Sequence, residues 1–197
     1  MIDSPVSGQA EGVIRAAPPF ELEGEPVVAL PELVERHFDF VFRSLRRLGV
    51  DDGSLDDAVQ QVWIVAARQE TPIREGGARA FLFAIALRVA SDARRAVRRT
   101  KHVGDEDSVA AARDGEPLPD EALDRRRARA VLDEILDEFA DDLRAVFVLY
   151  ELEQETVPEI AATLALPVGT VSSRLRRARE LFQAAVRRRA ARNGGLR

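Results

Sequence analysis

The sequence predicts an all-α chain of two small helical domains joined by a flexible linker, the C-terminal domain carrying a helix–turn–helix. Three observations predict it. Apolar residues recur three and four apart through most of the chain, and no stretch alternates as a strand would. Residues 101–119 lose that periodicity and gain Gly, Asp, Glu and Pro, the composition of a linker. Residues 156–179, TVPEIAATLALPVGTVSSRLRRAR, read as two short helices about a tight turn. The expected organisation is a flexible tail over 1–29, a helical domain over 30–100, an acidic linker over 101–119, a helix–turn–helix domain over 120–190 and a short tail over 191–197.

The tail 1–29 is rich in Pro, Gly and Glu and has no periodicity. Pro31 then opens a helix to about Leu48, with Val34, Phe38, Val41, Phe42, Leu45 and Leu48 as its apolar stripe. Gly49 ends it. His37 falls at the edge of that stripe. Ser54 and Asp57 are expected to cap a second helix whose inward face is Leu55, Val59, Val62, Trp63 and Ala66. Asp56, Asp57, Gln60 and Gln61 form its outer face. Adjacent carboxylates diverge on a helix, so Asp56 and Asp57 read as first-turn acids favoured by the helix dipole, or as part of a docking surface. Glu70–Gly77 is a loop marked by Thr71-Pro72 and Gly76-Gly77. A third helix is expected over about Ala78–Arg99, with Phe81, Leu82, Ile85 and Val89 inward. Phe83 lies two residues from Phe81 and points away from that face. An exposed aromatic beside arginines suits stacking on an unpaired base, and equally suits covering neighbouring surface.

Asp120 begins a fourth helix with Leu123, Val131, Leu132, Ile135, Leu136 and Phe139, and Ala140-Asp141 breaks it. A fifth, over about Asp142–Leu152, turns Val146, Phe147 and Tyr150 inward. Thr156 and Glu159 then make a capping box, and Pro158 lies in the first turn, where a missing N–H is tolerated. Leu166-Pro167 breaks that helix, and Gly169-Thr170 opens the last. There Val171, Leu175, Ala178 and Phe182 share one face, while Thr170, Ser173, Arg174 and Arg177 point outward. A helix–turn–helix places its second helix in the DNA major groove, where guanidinium forks bind guanine edges or phosphate. An ordinary helical hairpin with a solvated basic face is the plainer alternative.

Composition bounds the chemistry. The 197 residues are 46% hydrophobic, enough for a core. There is no cysteine and only His37 and His102, so no disulfide, thiolate, cofactor, catalytic or metal site is expected. Neither a signal peptide nor a membrane span is evident, and a cytoplasmic location without membrane insertion is expected. The formal net charge of -5 is unevenly spread. One basic block is Arg88, Arg94, Arg95, Arg98, Arg99 and Lys101. Another is Arg174, Arg176, Arg177, Arg179, Arg187, Arg188, Arg189 and Arg192.

Two segments together resemble a bacterial RNA polymerase sigma factor of the sigma-70 family, of the small extracytoplasmic-function (ECF) type. D-D-A-V-Q-Q-V-W-I-V-A-A at Asp56–Ala67 is similar to that family's core-binding helix in region two. A-F-L-F-A-I-A at Ala80–Ala86 and S-D-A-R-R at Ser91–Arg95 resemble its promoter-melting helix. P-V-G-T-V-S-S-R-L-R-R-A-R at Pro167–Arg179 resembles its region-four helix–turn–helix. Phe81 and Phe83 stand where the family often shows Trp and Tyr, and Arg88 where Asn is common.

The resemblance implies a protein that binds core RNA polymerase, recognises promoter DNA at its minus-ten and minus-thirty-five elements and helps melt it. It implies polymerase contacts at Asp56, Asp57, Gln60 and Gln61. Minus-ten contacts would fall on Phe83, Arg88, Asp92 and Arg95, with the loop Glu70–Gly77 near a flipped base. Minus-thirty-five contacts would fall on Thr170, Ser172, Ser173, Arg174, Arg176 and Arg177. The acidic linker residues Asp105–Asp107 and Glu116 would thread through the polymerase. An anti-sigma factor is a further partner that the family admits. The rival readings are a helix–turn–helix repressor or activator that acts without replacing sigma, and a metal-dependent nucleic-acid enzyme using Asp56, Asp57 or Glu70.

Overall fold

A computed structural model describes residues 26–101 and 120–194. The expected tail over 1–25, the linker over 102–119 with Asp105–Asp107 and Glu116, and residues 195–197 lie outside the described residues. Among the described residues the elements are α1 (Leu30–Arg47), α2 (Leu55–Ala67), α3 (Glu75–Lys101), α4 (Asp120–Asp137), α5 (Asp141–Phe147), a π-helical turn (Val148–Leu152), α6 (Val157–Thr163) and α7 (Val168–Gly194). None of these helices is long and apolar enough to cross a membrane.

In the N-terminal half, α1 and α2 pack on each other and on α3. Every side chain from Phe81 to Leu87 is buried. That corrects the expectation for Phe83, which is fully buried with its ring 6.4 Å from that of Phe40. The reason is that α3 is enclosed on several sides, and periodicity reveals an outward face only when one side meets water. The reverse correction applies to Phe38 on α1, which is 44% exposed. The face of α1 that packs inward is Leu33, Phe40, Val41, Ser44, Leu45 and Leu48. This set satisfies the helical period as well as the expected stripe does, and places Val34 and Phe42 at the margin.

The turn into α2 is closed by Asp51, whose carboxylate accepts from the Gly53 and Ser54 N–H groups at 3.0 and 3.2 Å. Ser54 is the N-cap residue but makes no side-chain capping bond, so Asp51 supplies the acceptor expected of Ser54 and Asp57. Val28 is buried, and its N–H donates to the Ile73 carbonyl at 2.9 Å, pinning residues 26–28 against the loop before α3. That loop is shorter than expected, because α3 begins at Glu75.

In the C-terminal half, α7 packs on α5 and α6. Phe147 stacks on Phe182 at 5.1 Å and meets Phe139 edge-on at 5.5 Å, fixing α5, α7 and the turn that follows α4 together. Val131, one of the apolar residues of the expected fourth helix, is 43% exposed. The expected fifth helix is two pieces, since the backbone widens into a π turn after Phe147. The capping box of α6 forms as read: the Glu159 carboxylate accepts from both the N–H and the hydroxyl of Thr156 at 2.7 Å. Those two bonds hold the Glu159 carboxyl below its ordinary range.

Between α6 and α7 the chain turns through Ala165 at φ 52°, a left-handed conformation that a Cβ disfavours. Glycine there relieves that strain but gains freedom in the unfolded chain. Ala165→Gly is therefore expected to raise stability by about 0.5–1 kcal/mol, read as a higher urea midpoint at unchanged m-value.

Candidate nucleic-acid interface

The first turns of α7 present one solvent face at helical spacing: Ser172, Ser173, Arg176 and Arg177 are all exposed. Val171, Leu175 and Ala178 on the opposite side are buried. Ser172 and Ser173 direct their hydroxyls to the carbonyls of Val168 and Thr170 at 3.0 and 2.9 Å, leaving oxygen lone pairs outward. Arg177 makes only a loose pair with Glu180, 3.5 Å away on the next turn. Thr170 and Arg174 sit at the rim rather than the centre. Thr170 is half-buried, and Arg174 reaches Asp142 on α5 at 3.2 Å. Arg179 lies over the Tyr150 ring and bonds Glu151 at 2.5 Å, which binds α7 to its scaffold and raises the guanidinium pKa. Phosphate and base edges are the ligands such a hydroxyl-and-guanidinium face fits.

A second polar face runs along the C-terminal part of α3. Arg88, Asp92 and Arg95 are exposed four and three residues apart, and Arg95 donates to the Ser91 hydroxyl at 3.2 Å. Phe83 is not on it. The loop residues Gln69, Glu70, Thr71 and Pro72, before α3, are exposed and carry no aromatic ring.

The third surface is an open apolar groove along α1 and α2, of about 530 Å³, with Phe38, Val59, Trp63 and Ile64 as its floor. Asp56 and Gln60 line its rim, and Asp57 and Gln61 are exposed on the same helix. Sequence reasoning found the polar rim and missed the floor. The available signal was the excess of α2: Val62, Trp63, Ile64, Val65, Ala66 and Ala67 are six consecutive apolar residues, more than one buried stripe uses. Contiguous exposed apolar side chains of this kind mark contact with another macromolecule.

Sigma-70 region 2 matches residues 33–100, and Sigma-70 region 4 matches residues 129–182. The chain belongs to the sigma-70 family. Its relatives in that family are of the ECF type. The chain is 31% identical over 152 residues to the ECF RNA polymerase sigma factor SigE of Mycolicibacterium smegmatis, covering 76% of this chain and 58% of that relative. It is 32% identical over 139 residues to the ECF RNA polymerase sigma-E factor of Escherichia coli, covering 66% and 73%. Among solved structures, CnrH in complex with the cytosolic domain of CnrY superposes with a TM-score of 0.56 at 26% identity, over 80% of this chain and 86% of that one. The sigma factor RpoE bound to the anti-sigma factor NepR, from Bartonella quintana, gives the same TM-score at 22% identity over 78% and 96%, a likeness of fold.

The two sigma-70 regions meet along a cleft of about 850 Å³ lined by Arg79, Ala80 and Phe81 from α3 and by Glu155, Thr163 and Leu166 from the other half. Burial pushes the Glu155 carboxyl up to about 7, with Arg79 opposing and Glu159 and Glu153 reinforcing. One of its oxygens is buried without a hydrogen-bond partner. A carboxyl raised in the folded state from its ordinary 4.5 stabilises the fold fully below pH 4.5, and that contribution is lost as pH rises towards 7. Glu155→Gln is expected to remove this component. The difference in urea-unfolding free energy between the wild type and the variant should therefore move in the variant's favour between pH 4.5 and 7, then level off.

Proposed function

We propose that this chain is an ECF-type sigma factor that binds core RNA polymerase and directs it to promoters through minus-ten and minus-thirty-five recognition, duplex melting and initiation. The observation that carries the reading is the presence of both sigma-70 regions, in order, on one chain. One exposes a hydroxyl-and-guanidinium helix face and the other an apolar groove with a polar rim. The protein has no catalytic role of its own, needs no cofactor and works in the cytoplasm, where polymerase and promoter are. The boundaries proposed for its units are 30–100 and 120–190, with 101–119 as the connection.

In this reading Ser172, Ser173, Arg176 and Arg177 enter the major groove at the minus-thirty-five element, and Thr170 and Arg174 contact the flanking backbone. Arg88, Asp92 and Arg95 face the minus-ten element. Phe83 takes no part. A base extruded from the duplex is held through polar contacts of the Gln69–Pro72 loop and Arg88, without a stacking ring from α3. Asp56, Asp57, Gln60 and Gln61 dock on polymerase around an anchor formed by Phe38, Trp63 and Ile64, the arrangement of a dry centre with a polar rim. Two DNA-reading helices on one polypeptide raise each other's effective concentration and demand a fixed spacing between their sites. The fold is shared with the sigma factor RpoE, solved with the anti-sigma factor NepR, and an anti-sigma factor is a proposed partner for this chain as well.

Run-off transcription with purified core enzyme on a library of upstream sequences tests the function: RNA chains starting at defined positions are expected, and none at any position refutes it. Arg176→Ala is expected to weaken minus-thirty-five binding by the holoenzyme by about 1–3 kcal/mol and to lower the salt slope by about 1, with polymerase binding intact. Ile64→Glu should do the opposite. It puts a charge on the apolar floor, so co-elution with core enzyme should be lost while helicity by circular dichroism is kept.

A further inference from the structure

The chain just before α1 is fastened to the loop that precedes α3. Val27 and Arg74 face each other as an isolated antiparallel bridge. On either side of that pair the backbones bond: the Val28 N–H donates to the Ile73 carbonyl at 2.9 Å, and the Glu75 N–H donates to the Pro26 carbonyl at 3.3 Å. Glu75 opens α3, so its N–H has no acceptor within the helix and Pro26 supplies one. Val28 and Ile73 are each 8% exposed, whereas Val27 is 57% exposed, the alternation that an extended segment imposes. Arg36 of α1 adds a side-chain tie, pairing with Glu32 at 2.6 Å and with Glu75, but all three are exposed and contribute little beside the backbone bonds. The other end of the loop is held as well, because the Arg68 and Gln69 N–H groups donate to the Val65 and Ala66 carbonyls at 3.2 Å. Gln69, Glu70, Thr71 and Pro72 are thus an exposed span anchored at both ends. Residues 26–28 precede the segment 33–100 that matches Sigma-70 region 2.

We propose that residues 26–28 are a clasp that sets minus-ten selectivity: by holding Ile73 and Glu75 they fix the shape of the Gln69–Pro72 loop, with Val28 as the positioning residue. The inference rests on the proposed assignment of that loop to the extruded minus-ten base, and adds a determinant outside the matched region. Pro26, Val27 and Val28 bear no cation and no side-chain donor, so their influence on DNA runs through the loop. Selectivity is a difference between the right base and a wrong one, and it fades when the reading groups can rearrange to suit either. A short span held at both ends has few such arrangements, and its ordering is largely complete before a base arrives. With the clasp cut, Ile73 and Arg74 regain freedom that each binding event must remove. Affinity for the correct base then falls, and the clash with a wrong base is relieved.

Three full-length variants test it. Val28→Pro deletes the donor to Ile73, Val28→Asp keeps the donor but puts a charge in a buried place, and Val28→Ile keeps both donor and apolar side chain. In the free chain, hydrogen exchange at the Glu75 amide should quicken in Val28→Pro and Val28→Asp and stay slow in Val28→Ile, with helicity unchanged. With core enzyme, parent and variants then start RNA chains on two template libraries, one randomised over the minus-ten element and one over the minus-thirty-five element. The preference for the best minus-ten sequences over the median is expected to fall about tenfold in Val28→Pro and Val28→Asp, the effect of ordering roughly one more backbone residue. Val28→Ile should match the parent, and the minus-thirty-five profile should not move in any variant. A chain that is merely less stable would lose transcripts from every template alike. If Val28→Pro loses helicity, Val28→Asp decides alone. Unchanged exchange overturns the clasp; an unchanged minus-ten profile, or equal relaxation at both elements, overturns its role in selectivity. A parent that starts no RNA chains sinks the promoter reading and the selectivity role with it, whereas the exchange result, taken without polymerase, stands or falls by itself.

Discussion

Burial of α3 on all its sides is the constraint from which the rest of the architecture follows. Phe81 to Leu87 are seven consecutive buried side chains. A helix can satisfy that only if other elements cover it all round, and each buried Phe, Leu or Ile contributes about 1.5–3 kcal/mol when they do. α1 and α2 supply most of the cover, and α6 of the other half touches α3 as well. The N-terminal part of α3 is thereby fixed. Its C-terminal part, bearing Arg88, Asp92 and Arg95, extends from that fixed base as a continuous helix, so a polar recognition face inherits the rigidity of a core. The same packing explains why the loop before α3 is tied down by Val28 and Ile73.

The second recognition face is held by a different device. α7 is a 27-residue helix whose middle turns are anchored by Phe182 stacked on Phe147, itself edge-on to Phe139, and by Arg179 on Tyr150. Its outward residues Ser172, Ser173, Arg176 and Arg177 need no reordering of the backbone to meet a groove, and rigid positioning of this kind reduces the entropy lost on binding. The π turn after α5 belongs to the same design. It is followed by Glu153, the residue that meets Arg47 and Arg79 of the other half, so an irregular backbone leads directly into a contact between halves.

The helices were legible in the sequence because their caps and breakers are local chemistry. Thr156 and Glu159 form their box with no help from the rest of the chain. Val171, Leu175 and Ala178 show one buried face because the other side of α7 is wet. What sequence periodicity could not resolve was which of two competing stripes packs inward. Phe38 and Phe40 both fit a helical repeat on α1, and the position of α3 chooses Phe40. Phe83 was misplaced for the matching reason, since a helix enclosed all round carries no record of an outward face. Arg144 was invisible altogether. Its guanidinium is buried beside Arg94 and lies where a side chain at Gly49 would be, and desolvation and Arg94 together lower its pKa. Gly49, at φ 87°, leaves that space, a pairing between residues distant in sequence that no spacing rule encodes.

The acidic total of the chain acquires a meaning once its arginines are followed to their partners. Arg94 and Arg174 lie on the two helices read as facing DNA, and they end on the consecutive residues Asp141 and Asp142. Arg188 and Arg189 end on Glu138. Engaging phosphate with these side chains is therefore an exchange of one anion for another, and the net gain is smaller than for a hydrated arginine. Random DNA offers phosphates alone and gains little from the exchange. On the proposed reading a correct site would add base contacts at Arg176 and Arg177, both exposed on the first turns of α7. On the proposed reading, internal carboxylates would subtract from binding that depends on charge alone and leave the part that depends on sequence.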